Sequence, residues 1–254
     1  MKLTFNQTRD RIEEKLQKVD LVCADLDECL FPFFTQVIVA GEILFESLFK
    51  RHQRKYLPQL CFGALTIGGF IILTFGNIKR LRNEFLMKHF ERTMRGIPLD
   101  LIRKHSQYIH TFFYSESLQF LKWFAERGAH ISILSLSIQP ILDILMEKLS
   151  FINDGIGNNI VFDKVKGTFR AYNKPIMVSG EDKLLCFKDL INKYNAKCPL
   201  VVGHSLDEMP LVEYASSMNG ISVGINPKKK LKDKFDIVLN SVSWEPLVSL
   251  VKSL

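Results

Sequence analysis

The sequence predicts an α/β protein with a Rossmann-like parallel sheet core and a helical cap inserted after the first strand. Short apolar runs recur along the 254 residues, and helical patterns separate them, which is typical of parallel sheets. The gap between the first two runs is about a hundred residues, far longer than a simple crossover needs. Hydrophobic residues make up 47% of the chain, which is enough apolar material for a packed core.

The elements follow in order from these patterns. Residues 8–18 carry mixed charges with Ile12 and Leu16 four residues apart, which predicts an amphipathic helix that leads into a buried strand over 21–24. Glycines between β-branched residues over 153–172 predict an excursion of turns and hairpin strands. The remaining runs predict buried strands at 131–134, 199–202, 221–223 and 237–239, and helices at 140–149 and 183–193.

The net charge of +7 is concentrated in one segment. Residues 50–104 hold twelve Lys or Arg and three Asp or Glu, a balance of +9, so the rest of the chain sums to −2. This distribution argues against nucleic-acid binding, and the basic cluster at 228–232 is interpreted as a solvated linker. Five scattered cysteines indicate a reducing compartment. Because the polar first eighteen residues lack the apolar centre of a secretory signal, we expect a cytoplasmic protein.

Two carboxylates follow the first predicted strand. Asp25 and Asp27 lie just past its carboxyl end, where open α/β sheets place their ligands. In such a loop one carboxylate can attack phosphorus while the other transfers a proton to the leaving oxygen. The alternative interpretation is an acidic surface loop.

Ser135 and Lys183 are candidates for phosphate binding. Ser135 ends the second apolar run, where its hydroxyl can hydrogen-bond a phosphoryl oxygen. Lys183 lies in the first turn of a predicted helix, where its charge opposes the helix dipole unless it has an anionic partner. A strand-end serine and a solvated surface lysine are the alternatives.

The fourth motif begins at the glycine that ends the strand at 199–202. After Gly203 come His204, Asp207 and Glu208, side chains that can hold a divalent cation. The Gly-x-Ser here lacks the second glycine of a nucleophile elbow, which argues against a serine hydrolase. The alternative is a helix N-terminus with acidic residues in its first turn.

The order of these motifs, Asp-x-Asp, strand-end Ser, Lys, then Gly-x-Ser-x-acid-acid-x-Pro, resembles the haloacid dehalogenase superfamily near its phosphoserine phosphatase-like members. The resemblance covers residues 20–30 and 130–239. It implies Asp25 as the nucleophile, Asp27 as general acid and base, and Ser135 and Lys183 as phosphate binders. It also implies a metal cofactor, Mg²⁺ or alternatively Mn²⁺ or another divalent cation. The ligands expected for it are Asp25, Asp27, Asp207 and Glu208, with His204 as a further candidate.

One residue departs from that family's pattern. Aligning the motif Gly-Asp-Ser-x-x-Asp-x-Pro on Gly203 and Pro210 puts His204 at the first Asp and Glu208 at the second. A neutral imidazole is a poor Mg²⁺ ligand because hard cations prefer oxygen. Three alternatives stay open: Asp207 or Glu208 substitutes, the metal changes, or activity is low or absent.

The long insert contains an uncharged window over residues 57–78, flanked by basic residues on both sides. As a helix it would measure about 33 Å, close to the hydrocarbon thickness of a bilayer. A single span would place Asp25 and Ser135 on opposite sides of the bilayer, which one active site excludes. The alternatives are a re-entrant or interfacial hairpin that bends near Gly68 and Gly69, and a buried cap helix. The apolar stretch 31–49 also holds Glu42 and Glu46, which makes it a costly span.

We expect membrane contact through 57–78, with the protein peripheral or hairpin-anchored at the cytoplasmic face. The layout resembles that of some bacterial phosphatidylglycerophosphatases, which implies a lipid-borne phosphate as a substrate besides phosphorylated small molecules. Residues 1–30 and 112–254 are assigned to the catalytic core and residues 31–111 to the cap. The expected function is metal-dependent phosphomonoester hydrolysis through an aspartyl-phosphate. The alternative is a catalytically weak protein that binds a phosphorylated ligand or partner at the membrane.

Overall fold

The computed structural model describes residues 3–64 and 79–254. Within these ranges, seven strands form one sheet in the order β1-β9-β8-β7-β2-β3-β4, and β5 and β6 form a separate hairpin. In the large sheet β1 pairs antiparallel with β9, and the other neighbours are parallel. The strands are β1 (Leu3–Phe5), β2 (Leu21–Ala24), β3 (His130–Ile138), β4 (Asp154–Asn158), β5 (Ile160–Asp163), β6 (Thr168–Tyr172), β7 (Pro199–Gly203), β8 (Ile221–Ile225) and β9 (Ile237–Leu239).

Helices cover the sheet and fill the insert. A helix with residues 57–64 in its described part is counted as α3. The other helices are α1 (Arg9–Gln17), α2 (Thr35–Phe49), α4 (Lys79–Met94), α5 (Leu99–Ser106), α6 (Ser115–Ala125), α7 (Gln139–Lys148), α8 (Gly180–Tyr194), α9 (Met209–Ser217) and α10 (Glu245–Lys252).

The side chains of the central strand alternate between two cores. Val22 and Ala24 pack into the larger core with α1, α6 and α10, whereas Leu21 and Cys23 face a second core built mainly from α8 and α9. Because successive side chains of a strand point to opposite faces, a run of four buried apolar residues requires cover on both sides. The predicted fold class, a parallel α/β sheet with a helical insert after its first buried strand, is confirmed.

The observed strands extend and correct the predicted ones. All five predicted buried strands are present, and β3 continues to Ile138 beyond the predicted end at 134. Strand β1 was not predicted, because three residues carry too little pattern. The region 153–172 is only partly the predicted excursion, since β4 joins the large sheet beside β3 and only β5 and β6 form a hairpin.

The hairpin ties the cap to the core. The backbone N–H of Gly96 donates to the carbonyl of Phe169 at 2.8 Å, and the N–H of Phe169 donates to Ile97 at 2.8 Å. The ring of Phe169 also meets Phe90 of α4 edge to face, with centroids 6.3 Å apart. The insert between β2 and β3 is therefore helical and anchored through β6. The proposed boundaries at residues 31 and 111 stay a prediction.

The uncharged window lies partly outside the described residues. Its first part, 57–64, is helical, and residues 65–78 lie beyond what the structure describes. In the portion of the chain that is described, no helix combines the length and apolar character needed to cross a bilayer.

Candidate active site

The sheet register brings the predicted motifs to one edge. Ala24 of β2 lies opposite Ile133 of β3 and Val202 of β7, so the residues that follow these strands emerge side by side. The backbone N–H of Asp25 donates to the carbonyl of Val202 at 2.9 Å, which extends the pairing by one residue. The Asp25 side chain is thus fixed at the carboxyl edge, where parallel sheets place ligands.

Lys183 joins the first and fourth motifs. Its ammonium Nζ lies 2.7 Å from Asp25 Oδ1 and 2.9 Å from Glu208 Oε1, and all three side chains are buried. Burial acts to lower the pKa of Lys183, but the two carboxylates outweigh it and raise the pKa above its ordinary value. The lysine is therefore a buried cation with two carboxylate partners and not a solvated surface lysine, and its role in phosphate binding stays a prediction.

Glu208 is held by the turn that follows β7. Its Oε2 accepts from the backbone N–H of Ser205 at 2.8 Å, while the Ser205 side chain caps the same turn, which forms a capping box. Gly203 makes this approach feasible, because a Cβ there would lie 2.3 Å from Glu208 Cγ. Burial acts to raise the pKa of Glu208, but Lys183 and His204 outweigh it and hold the pKa well below the ordinary value.

His204 occupies the position of the first aspartate in the pattern Gly-Asp-Ser-x-x-Asp-x-Pro. Its Nδ1 lies 3.3 Å from Asp25 Oδ2 and 4.0 Å from Glu208 Oε2, and its Nε2 lies 3.7 Å from Glu28 Oε2. Burial acts to lower the pKa of His204, but these carboxylates outweigh it and raise the pKa to about 10. The imidazole is therefore positively charged at neutral pH when no other cation is bound.

Asp27 contacts the start of α2. Its Oδ1 accepts from the backbone N–H of Thr35 at 2.7 Å. Burial raises the pKa of Asp27 to about 7, against the lowering effect of the Thr35 hydrogen bond and with a smaller contribution from the charge of Asp25. A carboxyl group with this pKa is partly protonated at neutral pH, which suits a general acid.

Two predicted site residues have other contacts. Ser135 is buried two residues beyond the last β3 residue paired with β2, and its hydroxyl accepts from the N–H of Ser137 at 3.1 Å. Asp207 lies beside the Ser205 hydroxyl, with Oδ2 3.4 Å from Oγ. Their roles in phosphate and metal binding stay predictions.

Three side chains, that of Asp25 among them, could hold a divalent cation. Among the described residues, Asp25, His204 and Glu208 each offer one ligand atom, and these atoms lie within 4.8 Å of one another. Nδ1 of His204 is buried and makes no well-directed hydrogen bond in the described chain, although Asp25 Oδ2 lies 3.3 Å away. A cation at these atoms would satisfy it. An imidazole with two carboxylates suits Mn²⁺ or Zn²⁺ better than Mg²⁺, which prefers an all-oxygen set.

Comparisons with known proteins address the fold. No protein-family model matches the chain, nor does any curated protein sequence. A HAD family hydrolase from Salmonella enterica subsp. enterica serovar Typhi superposes with a TM-score of 0.66 at 13% identity, covering 91% of this chain and 70% of that chain. The chain has the haloacid dehalogenase (HAD) fold.

Two further structures agree with that assignment. A phospho-aspartyl intermediate analogue of phosphoserine phosphatase superposes with a TM-score of 0.64 at 14% identity, covering 91% of this chain and 98% of that chain. Cytosolic 5'-nucleotidase IIIB bound to cytidine superposes with a TM-score of 0.68 at 12% identity, covering 96% and 90%. At these identities the similarities establish the HAD fold, and function has to be argued from the site.

Sequence reasoning missed two residues beside this HAD-fold site, Glu28 next to His204 and Thr35 next to Asp27. Thr35 orients Asp27 through its backbone N–H, and its hydroxyl lies 2.8 Å from that of Ser137. The available signal was positional, since Thr35 begins the first helix after the Asp-x-Asp motif and the N–H groups of a first turn are free to bind a carboxylate.

Proposed function

We propose that the protein is a phosphomonoester hydrolase that works through an aspartyl-phosphate on Asp25. The observation that carries this proposal is the different environment of the two motif carboxylates. Asp25 is paired with a permanent cation, whereas burial raises the pKa of Asp27 to about 7. Two neighbouring carboxylates with separated pKa values can divide the roles of nucleophile and acid.

The chemistry follows from these two roles. A carboxylate oxygen of Asp25 forms a bond to phosphorus while the bond from phosphorus to the leaving oxygen breaks, and Asp27 donates its proton to that oxygen. In the second step Asp27 accepts a proton from water, the water oxygen bonds to phosphorus, and the bond to Asp25 breaks. Inorganic phosphate is released and Asp25 is regenerated.

The surrounding residues position the substrate phosphate. Lys183 contacts Asp25 directly and can donate to a phosphoryl oxygen, and Ser135 is proposed as a second donor. Asp25, His204 and Glu208 would hold the divalent cation, which when bound supplies positive charge beside the phosphoryl oxygens. Among the neighbours, the phospho-aspartyl analogue of phosphoserine phosphatase supports the covalent step.

The test is phosphate release from an aryl phosphate with added Mn²⁺, Zn²⁺ or Mg²⁺. The native protein should turn over with a divalent cation, and Asp25→Asn, which keeps the shape but removes the nucleophile, should fall to background. Asp27→Asn should lose about a hundredfold to ten-thousandfold, as expected for a general acid. Unchanged turnover in Asp25→Asn would overturn the proposed mechanism.

A catalytically weak protein that binds a phosphorylated ligand is the second candidate. His204 favours it, because a charged imidazolium 3.3 Å from Asp25 Oδ2 takes the place of a metal-ligand carboxylate. The variant His204→Asp separates the two candidates. A native protein without turnover that gains Mg²⁺-supported turnover in this variant would establish the second candidate. Good native turnover with no gain would establish the first.

The substrate class is proposed to include lipid-borne phosphates, with membrane contact through residues 57–78. The absence of charge in that window and the basic residues on both sides support this extension. A panel of soluble phosphomonoesters and lipid phosphates tests it. Turnover confined to soluble substrates would contradict the lipid extension and leave the hydrolase proposal intact.

A further inference from the structure

Helix α2 exposes an apolar face to solvent. Phe34, Val37, Phe45, Leu48 and Phe49 are all exposed, with Phe45 at 65% and Phe49 at 70%. At about 100° per residue, these five positions fall within roughly 120° of the helix circumference, which places them along one side of α2. Contiguous exposed apolar surface of this kind marks an interaction site in a folded protein.

Of the two glutamates of α2, Glu46 is largely buried against α5, whereas Glu42 is half exposed at the edge of this face. Glu46 is 11% exposed and its carboxylate is held by Lys104 and His105 of α5, at 2.6 and 2.5 Å. Glu42 turns toward the same histidine, with Oε2 3.4 Å from Nδ1. The buried side of the helix is formed by Thr35, Val39, Ile43 and Ser47. The apolar face itself therefore holds no charged residue, and Glu42 at its edge is oriented toward His105.

A basic turn continues from the apolar face. Residues Arg51–Tyr56 form a short 3-10 helix directly after α2, and Arg51, Arg54 and Lys55 on it are exposed. Exposed arginine and lysine beside an apolar helix face match the surface of an anionic bilayer, whose headgroups attract the cations while the interfacial region accepts the apolar side chains.

We propose that the apolar face of α2, together with the basic turn at 51–56, docks the protein on an anionic lipid bilayer. Helix α2 would lie in the plane of the interface, which requires no spanning helix. This surface is separate from the window at 57–78. It also leads to the site, since α2 begins at Thr35, whose N–H holds Asp27, and the exposed Phe33 and Phe34 precede it. If the proposed function holds, docking brings the nucleophile close to phosphates carried in the membrane.

The experiment measures co-sedimentation of the full-length protein with vesicles. Native protein should sediment with phosphatidylglycerol/phosphatidylcholine vesicles, and the double variant Phe45→Glu, Phe49→Glu should lose at least about tenfold in partitioning, because carboxylates at that depth are costly. Leu185→Glu, a change at an apolar side chain of α8 that is 64% exposed, serves as the matched control and should bind like native.

Replacing Arg51 and Arg54 with Gln tests the basic turn. This double variant should bind anionic vesicles about fivefold more weakly for each charge removed, and its binding to pure phosphatidylcholine vesicles should be unchanged.

Further measurements separate the remaining outcomes. Circular dichroism melting and aryl phosphate turnover should be the same in native protein and the double variant, which shows that the fold survives. Vesicle binding that persists in the double variant would overturn the proposal and assign the contact to other residues. A native protein that stays in the supernatant would also overturn the proposal. The apolar face would then be covered by another segment of this chain or by a second copy, and sedimentation velocity would reveal the second copy as a dimer. Vesicle binding that depends on Phe45 and Phe49, in a protein without phosphatase activity, would retain the docking surface and reject the proposed function.

Discussion

Lys183 contacts Asp25, 158 positions away in sequence, and Glu208, 25 positions away. With its ammonium removed, the two buried carboxylates would lie near each other without a compensating charge, and isolated buried charge is strongly unfavourable. The same ammonium therefore supports both the fold at this edge and the orientation of Asp25.

We expect Lys183→Met to lower the free energy of unfolding by about 3 kcal/mol or more, because it breaks a buried charge network by removing one partner. Urea unfolding at pH 7 measures the change, with Lys122→Met as the control, since Lys122 is 61% exposed. Equal stability of the two variants would contradict the contacts described for Lys183.

Gly203 offers a second test at the residue scale. An added Cβ would meet Glu208 Cγ at 2.3 Å, so Gly203→Ala should displace Glu208 from Lys183 and from the Ser205 cap. We expect a loss of about 1 to 3 kcal/mol in stability and reduced turnover. Gly41→Ala is the matched control, because nothing lies within 4 Å of its added Cβ and alanine favours a helix, so its stability should rise by up to about 1 kcal/mol. A Gly203→Ala variant as stable and active as native would show that Glu208 needs no such approach.

The site could be predicted as far as its residue types reveal their chemistry. Asp25, Asp27 and Lys183 carry functional groups at strand and helix ends, so position and type together pointed to them. Thr35 acts through a backbone N–H that every non-proline residue has, so its type carries no signal. The sequence could not show which of His204, Asp207 and Glu208 lie beside Asp25. The direction of these side chains is set by the turn after β7, which their residue types do not reveal.

At the scale of elements, Glu46 joins α2 to two neighbours. It accepts from Lys104 and His105 of α5 and from Gln53 of the turn after α2. The Lys104 ammonium, and after it that of Lys50, holds the pKa of Glu46 well below its ordinary value. The pKa of Glu46 is therefore lower in the folded chain than in the unfolded chain, where it is about 4.3. Ionised Glu46 stabilises the fold fully at pH values above about 4.3, and this stabilisation is lost as the pH falls from that value toward the pKa of the folded chain.

Glu46→Gln should therefore lower the free energy of unfolding at pH 7 by about 1 to 2 kcal/mol. The difference between native and variant should shrink progressively as the pH drops below about 4.3, because protonated Glu46 resembles glutamine. Urea unfolding at a series of pH values measures both. Glu14→Gln is the control, since that pair with Lys18 is exposed on one helix. A pH-independent difference would assign the effect of Glu46 to packing.

Element prediction succeeded where burial on both sheet faces produced continuous apolar runs, as in Leu21–Ala24 and Pro199–Gly203. It failed at β4, where Gly155 and Gly157 indicate turns. Their presence has a packing reason, because a Cβ at Gly157 would lie 2.7 Å from Leu142 Cδ1. Glycine at this position lets α7 pack closely against β4. A glycine that allows close packing looks the same in the sequence as a glycine that allows a turn.

At the scale of the whole molecule, one mostly parallel sheet assembles motifs that are distant in sequence, and an insert of several helices follows β2, the strand that leads to Asp25. Helix α2 is a second link between the two parts besides the hairpin, because the backbone N–H of its first residue binds Asp27. The exposed face of the same helix forms the proposed bilayer contact. The fold class was predictable from the order of strands and helices. The path of the cap was not, because helical insert segments pack through contacts such as Phe90 with Phe169 that leave no periodic signal.

The central claim is that Asp25 becomes phosphorylated during turnover, and mass spectrometry of acid-quenched protein tests it most directly. The protein is mixed with an aryl phosphate and a divalent cation, quenched during steady turnover and digested. We expect the peptide that contains Asp25 to carry the added mass of one phosphoryl group in the native protein and none in Asp25→Asn. In Asp27→Asn the second step should be slower, so the phosphorylated form of Asp25 should accumulate. Phosphate release by Asp27→Asn without the added mass on Asp25 would contradict the account. A phosphoryl group found on another residue would contradict it as well.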